Sequence, residues 1–362
     1  MVPTLGEGAA LKALVLAGGV GTRLRPLTHS RPKQLIPVAG KSVIHYGLES
    51  IRNAGISDVG IVVGERGDEF RERFGDGRDL GIRITYVDQE RPDGLAHCVL
   101  IAQEFLGADD FLMYLGDNIV LEGIGPLVDE FEANRPDAML LLGKVDDPSE
   151  YGVAVVGDAR NVESLVEKPE TFVGDLAVVG AYVFSPAIHD AVRAIRPSGR
   201  GELEITEAIQ WLVDTGRRVV GYECPGYWKD AGRLADLLAC NRALLDRLST
   251  DIAGTVDADS TIHGPVVVAR GAVVSRCELV GPVLVESGAV VRDSTLGPHT
   301  AVGPNCRVAD AEIADSILLD EATVQGVGGL TGSIVGQAAS VRRGTEGPLL
   351  ILGDSSEVVL GP

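Results

Sequence analysis

The chain is poor in aromatic residues, which make up 4% of its 362 positions, and its longest apolar runs are short. Runs such as Met139 to Leu142, or Leu11 to Ala17 with Lys12 inside it, fall far below the roughly 20 residues that cross a bilayer, so no spanning helix is expected. Five cysteines (Cys98, Cys224, Cys240, Cys277, Cys306) are scattered and form no CxxC pair. That usage excludes a disulfide framework or a zinc ribbon and fits reduced thiols. Met1 to Ala10 has no basic n-region and includes Glu7, so it reads as a loose leader rather than a secretion signal, and a cytoplasmic location is expected. Cations are scarce as well: 32 Lys+Arg against 52 Asp+Glu leave a net charge of −20, which argues against nucleic acid or an anionic membrane as partner.

What is present is an ordinary globular composition, 45% hydrophobic and 23% charged, in a length that suggests two domains. Up to about Leu248, apolar β-type runs alternate with helical patterns: Leu11 to Ala17, then Val43 to Ala54; Val59 to Val63, then Asp68 to Phe74; Ile82 to Val87, then Leu95 to Phe105; then Phe111 to Leu115. This order implies βαβ units and a mostly parallel, three-layer α/β domain over residues 1–248. Such sheets bind ligands at the carboxyl ends of their strands, which directs attention to the loops after Ala17 and Leu115. From about Thr250 the pattern changes. Aliphatic residues recur near every sixth position (Val256, Ile262, Val268, Val274, Val280), then with one-residue slips (Val285, Val291, Leu296, Val302, Val308, Ile313, Leu319). A hexapeptide period predicts a parallel β-helix over 249–362, with Leu234 to Leu248 as a helical connector.

The first strand ends in Ala17-Gly18-Gly19-Val20-Gly21-Thr22-Arg23-Leu24-Arg25. Glycines there let backbone N–H groups approach a polyphosphate, and arginine supplies a fork matched to phosphate oxygens. Two rival motifs fail at once: Leu24 stands where the dinucleotide fingerprint needs its third glycine, and Leu35 where a Walker A loop ending in Gly40-Lys41-Ser42 needs its first. Between Glu7 and Glu49 there is no acidic residue, while Lys12, Arg23, Arg25, Arg31, Lys33 and Lys41 fall inside. A local reversal of sign around a glycine loop suits a small polyanion. A tight turn with a solvated basic loop accounts for the same residues equally well.

The run from Ala17 to Thr28, followed by Pro32-Lys33-Gln34-Leu35-Ile36-Pro37-Val38, closely resembles the signature of the sugar-1-phosphate nucleotidyltransferases. Within that family it is similar to the long thymidylyltransferases that act on glucose 1-phosphate in deoxysugar and antibiotic pathways and carry a hexapeptide tail. Further landmarks recur in order: Gln89, Gly94-Leu95-Ala96-His97, Leu115-Gly116-Asp117-Asn118, Tyr151-Gly152-Val153, Glu167-Lys168-Pro169, Ala177-Val178-Val179-Gly180, the run Pro197 to Thr206, and Trp228-Lys229-Asp230-Ala231-Gly232. The resemblance covers nearly the whole chain. It implies a Rossmann-like three-layer domain followed by a left-handed parallel β-helix, and Mg²⁺-dependent transfer of a nucleotidyl group from dTTP to α-D-glucose 1-phosphate, giving dTDP-glucose and pyrophosphate.

Residue roles follow from the same resemblance. Asp117 and Asp230 would hold Mg²⁺; Arg23 and Lys33 would grip the triphosphate, with Gly18, Gly21 and Thr22 as donors, Gln34 assisting, and Arg25 and Arg31 at the rim. Lys168 would meet the sugar phosphate and Glu167 the sugar hydroxyls, with Asn118, Gly152 and Val178 contacting the hexose and Tyr151 and Trp228 as walls. Gln89 can accept from a ring N3–H and donate to a flanking carbonyl, a pattern offered by thymine and uracil and not by cytosine. Gly94 would let the base lie against the backbone. Neither residue separates dTTP from UTP. Taken alone, Gly116-Asp117-Asn118 reads as an Asx-type turn, Asp230 as a surface acid and Glu167-Lys168-Pro169 as an exposed turn. A non-catalytic scaffold on the same architecture would be expected to lose one of Arg23, Lys33, Asp117, Lys168 or Asp230, and none is lost. An acyltransferase tail would need a base at a coil edge, where only His263 and His299 stand. The tail is therefore expected to drive homo-oligomerisation, for instance as a trimer, and its removal after Thr250 is expected to dissociate the oligomer while sparing much of the chemistry.

Overall fold

The computed structural model describes residues 11–343; the predicted leader and the last residues of the tail lie outside the described residues. In chain order the strands of the N-terminal part are β1 (Lys12–Leu16), β2 (Pro37–Val38), β3 (Lys41–Ser42), β4 (Asp58–Val63), β5 (Arg83–Asp88), β6 (Phe111–Leu115), β7 (Asn118–Val120), β8 (Ala138–Lys144), β9 (Gly152–Val156), β10 (Val162–Glu167), β11 (Leu176–Phe184), β12 (Val219–Glu223) and β13 (Trp228–Asp230). The helices are α1 (Val43–Asn53), α2 (Gly67–Phe74), α3 (Leu95–Ile101), α4 (Gln103–Leu106), α5 (Gly125–Asn134), α6 (Ile188–Ala194), α7 (Ile205–Asp214) and α8 (Leu234–Leu245). The helix expected over Leu95 to Phe105 is broken at Ala102, where the backbone leaves helical geometry between α3 and α4.

The described chain forms two compact units, residues 11–20 with 44–230, and residues 21–43 with 231–343. This division differs from a cut at residue 248, because α8 and the whole segment Gly21–Val43 group with the C-terminal strands.

The first unit is built on a nine-stranded sheet in the order β10-β9-β11-β6-β1-β4-β5, with β8 beside β11 and β12 beside β8. Only β6-β1-β4-β5 form the expected parallel block; β11 runs antiparallel to β6 and opens a largely antiparallel half. Strands β1, β4 and β6 are apolar on both faces, whereas the edge strand β5 exposes Arg83, Thr85 and Asp88. Leu14, Leu16, Val62 and Met113 join the core that includes Ala96, Val99, Ile188, Ile205 and Ile209 of α3, α6 and α7. Ala13, Val15, Val59 and Ile61, which alternate with them, are equally buried. That is the pattern of strands covered by helices on both sides.

In the second unit the tail forms three parallel sheets of six, six and five strands, each strand two or three residues long. Hydroxyls of Ser260, Ser294 and Ser316 each accept from a backbone N–H 17 residues further on, one coil later. The one-residue slips in the aliphatic period are the coil length showing through, since three strands and three turns need not divide into equal sixes. Two positions of the sequence reading shift by one: Leu279 lines the core rather than Val280, and Leu318 rather than Leu319, because Leu279 pairs with Leu296 and Leu318 with Val335 in the ladders.

Candidate active site

In the first unit the sequence landmarks converge through strand pairing. β7 runs antiparallel to β13 with Asn118 opposite Asp230, so Asp117, one residue before Asn118, is brought to the same strand end as Asp230. The two acids are 113 residues apart in sequence (230 − 117), and this ladder joins their neighbourhoods. Two carboxylates are the protein donor set that Mg²⁺ takes when phosphates and water complete its shell, so hard oxygen donors of the right kind are present. Among the described residues no group of three or more His, Cys, Asp or Glu is placed to hold a metal. Asn118 itself is 3% exposed, its Nδ2 donating to Val179 O at 2.7 Å and its carbonyl accepting from Tyr114 Oη at 2.8 Å. One N–H of its amide is thus committed to the fold.

A second cluster forms where β9, β10 and β11 meet. Glu167 lies opposite Gly152 in the β9–β10 ladder, and Ala177, next to Val178, lies opposite Val153. A Cβ on Gly152 would stand 2.6 Å from Thr206 Cγ2 and 3.3 Å from Glu167 Oε2, so this glycine keeps the space beside the Glu167 carboxylate open. Lys168 sits in the left-handed region (φ 42°) with its N–H on Tyr151 O, which swings its ammonium to 3.7 Å from Glu167 Oε1. Tyr151 and Trp228 meet edge to face with ring centroids 5.8 Å apart.

The sequence reading assigned no role to the run Pro197 to Thr206 beyond its likeness, yet this run organises Glu167. Arg200 Nη2 donates to Glu167 Oε1 at 3.1 Å and to Glu204 Oε1 at 2.7 Å, while Thr206 Oγ1 donates to Glu167 Oε2 at 3.0 Å. Glu204 is buried and also accepts from Ser198 Oγ at 2.9 Å. The hydrogen bond to Glu204 is the main cause that raises the Arg200 guanidinium above its ordinary range, with burial working against it. Glu207 is also raised, first by burial and then by the negative charge of Glu204 and Glu167. Charged residues at every second position in Arg200-Gly201-Glu202-Leu203-Glu204 were the available signal for this hub.

The third cluster surrounds Gln89. Its Nε2 lies 3.2 Å from His97 Nδ1, and its Oε1 lies 2.6 Å from where a Cβ on Gly18 would stand, so Gly18 is a glycine because the amide rests against it. Burial pushes the neighbouring Cys98 thiol up to about 12, against the opposing pull of a hydrogen bond from Gln89, so this cysteine is no nucleophile. Gly94 is required by the fold itself. At φ 106° its Cβ would stand 2.4 Å from Leu203 O, so the backbone that approaches it is the chain's own. A cleft of about 600 Å³ beside Gln89 is lined by Glu65, Asp68, Asp88 and Glu90, and its one cation, Arg71, is held by Asp88 at 2.7 and 2.9 Å. That wall repels a triphosphate.

In the second unit the glycine loop folds as three short 3₁₀ turns, Thr22–Leu24, Leu27–His29 and Lys33–Leu35. Gly21 takes φ 70°; its carbonyl accepts from Thr28 Oγ1 at 2.8 Å, and a Cβ on it would stand 2.9 Å from Lys33 Cβ. Thr22 and Arg23 are exposed, whereas Gln34 is 2% exposed with its Oε1 unmatched by any hydrogen bond. Lys12 does not join the basic loop: in the first unit it is paired with Asp109 at 2.8 Å and donates to Phe105 O.

The family model described as "Nucleotidyl transferase" matches residues 12–247. The chain belongs to the nucleotidyl transferase family. Similarity to curated relatives runs the full length: 50% identity to a glucose-1-phosphate thymidylyltransferase of Streptomyces antibioticus, over 96% of this chain and 99% of that one. Identity is 50% also to the protein of that name in Streptomyces griseus (96% and 98%), and 42% to a low-salt glycan biosynthesis nucleotidyltransferase of Haloferax volcanii (97% and 100%). Among solved structures, a glucose-1-phosphate thymidylyltransferase from Bacillus anthracis in complex with sucrose superposes with a TM-score of 0.62 at 34% identity, over 67% of this chain and 98% of that one.

Proposed function

We propose that this nucleotidyltransferase makes dTDP-glucose from dTTP and α-D-glucose 1-phosphate, releasing pyrophosphate, in the service of deoxysugar synthesis. The observation that carries the reading is full-length identity of 50% to two glucose-1-phosphate thymidylyltransferases, together with retention of Arg23, Lys33, Asp117, Lys168 and Asp230. In the reaction an oxygen of the sugar phosphate attacks the α-phosphorus of dTTP, forming one P–O bond as the bond to the β-phosphate oxygen breaks and pyrophosphate leaves with its electrons. Two anions must meet while a third departs, so the task is to neutralise and align.

Nucleotidyltransferases of this family generally use a divalent metal. Here Mg²⁺ is the proposed ion and would supply charge neutralisation on the phosphates, with Asp117 and Asp230 as its protein ligands. Lys33 and Arg23 hold the triphosphate, with Gly18, Gly21 and Thr22 donating from loop and hydroxyl. Lys168 holds the sugar phosphate. Glu167, steadied by Arg200 and Thr206, accepts from sugar hydroxyls beside Gly152, Val178, Tyr151 and Trp228. Gln89 reads the base. Among the described residues no helix is long and apolar enough to cross a membrane, and we place the enzyme in the cytoplasm as a homo-oligomer assembled through the β-helix.

A second reading, UTP as the donor, draws support from 37% identity over 61% of this chain to a UTP–glucose-1-phosphate uridylyltransferase of Haloferax volcanii, and from an amide at Gln89 that cannot tell thymine from uracil. The test of both is pyrophosphate release with Mg²⁺ and glucose 1-phosphate, offering dTTP, UTP, CTP, ATP and GTP singly. Preference for dTTP with UTP second is expected; preference for CTP or a purine nucleotide would discard the base-recognition account.

A further inference from the structure

The segment Gly21–Val43, which carries Arg23 and Lys33, is fastened to the C-terminal coils at several places inside the second unit. Asn241 of α8 is fully buried and ties the segment and a coil together: its Oδ1 accepts from the Ala39 N–H at 3.1 Å, and its Nδ2 donates to His299 O at 2.9 Å. His299 is in turn held by Asp246 at 2.7 Å, which gives this histidine a structural task at the coil edge. The tight turn between β2 and β3 rests on a coil. Ala39, like Leu248 and Val267, packs against the buried cluster Leu245, Leu284 and Ala301, and a Cβ on Gly40 would stand 2.9 Å from Leu284 Cδ2 and 3.1 Å from Glu286 Oε1. At the other end, Arg31 donates to Gln337 Oε1 and lies 3.7 Å from Asp320 Oδ2. Arg31 and Ala39 therefore bracket the 3₁₀ turn Lys33–Leu35, and both are anchored to residues 200 to 300 positions away in sequence.

We infer that the β-helix is a positioning element of the nucleotide site: its coils hold the loop that places Lys33 and Arg23. This rests on the reading above that these two cations grip the triphosphate. A misplacement of about 1 Å in a positioning group can cost on the order of a hundredfold in rate, so side chains on the coils that never touch substrate set nucleotide affinity. On this inference, loss of the tail would also cost nucleotide affinity, since Leu284, Glu286, Asp320 and Gln337 would leave with it.

The test uses the full-length protein with dTTP and glucose 1-phosphate. The coil-side double variant Gln337→Ala/Asp320→Ala should raise KM for dTTP about five- to tenfold while KM for glucose 1-phosphate moves less than about twofold, with the subunit number unchanged by sedimentation. Gln337→Glu, which keeps an acceptor for Arg31, should restore most of the loss. Arg31→Ala should give the same shift, and adding it to the coil-side pair should add little, since both remove one interaction. Asn241→Ala should act in the same sense if it folds; the surface pair keeps the test valid if it does not. A wild-type KM for dTTP in the coil-side variant overturns the inference, as does a loss of activity that follows dissociation of subunits on dilution. Lys33→Ala separates the two claims: if it leaves dTTP binding intact the reading of the loop falls, whereas if it abolishes binding and the coil-side variants are silent, only the bracing falls.

Discussion

Gln89 has one acceptor and two donors on its amide, and with Nε2 facing His97 Nδ1 one donor is committed to the imidazole. Oε1 remains to accept from the N3–H that thymine and uracil carry, while the amide's donors are shared with His97 and Cys98. His97 thus fixes which way the amide points, so long as Nδ1 is the unprotonated nitrogen. Discrimination between dTTP and dCTP, taken as the ratio of kcat/KM, is expected to fall about tenfold in His97→Ala and to be partly kept in His97→Asn, whose Oδ1 can accept in the same place. Unchanged discrimination in His97→Ala would remove the imidazole from base selection. For the metal pair, Asp117→Asn and Asp230→Asn are each expected to lower kcat by about two to three orders of magnitude with the far-UV spectrum intact, and normal turnover in either would overturn that assignment. Both acids were visible in the sequence as parts of motifs. Their adjacency was not, because it depends on the register of β7 with β13, and a two-strand ladder of three residues each leaves no periodic signal.

At the scale of elements, the run Pro197 to Thr206 acts as a strap that enters α7 and steadies the Glu167 carboxylate through Arg200 and Thr206. Arg200→Ala is expected to lower kcat/KM for glucose 1-phosphate by about ten- to a hundredfold with KM for dTTP nearly constant; an unchanged sugar-phosphate KM would dismiss the hub. The strap is pinned by Gly94, where Leu203 O leaves no room for a methyl group and φ is positive. Gly94→Ala should therefore cost about 2–4 kcal/mol in a denaturant titration, and a cost below about 1 kcal/mol would show that the strap yields easily. That glycine was legible as special from its place in the run, but its partner was not: Leu203 stands more than a hundred positions away and carries no mark of the contact.

On the scale of the whole molecule, the tail is a stack in which each coil buries aliphatic side chains against the next, so its stability is close to a sum of neighbouring contacts. Leu296, fully buried between Leu279 and Ile313, is expected to cost about 2–5 kcal/mol when replaced by alanine, read as a lowered melting temperature of the tail. The β-helix was legible from the aliphatic period because each strand sends aliphatic side chains inward, and the parallel block β6-β1-β4-β5 from the alternation of strands with helical patterns. Those patterns are local, and local chemistry alone writes them. The antiparallel half of the sheet, the meeting of Asp117 with Asp230, the hold of Arg200 on Glu167 and the fastening of Gly21–Val43 to the coils were decided only by tertiary structure. Each joins residues far apart in sequence through one or two hydrogen bonds or a single close approach, and such contacts constrain too few positions to leave a periodic trace.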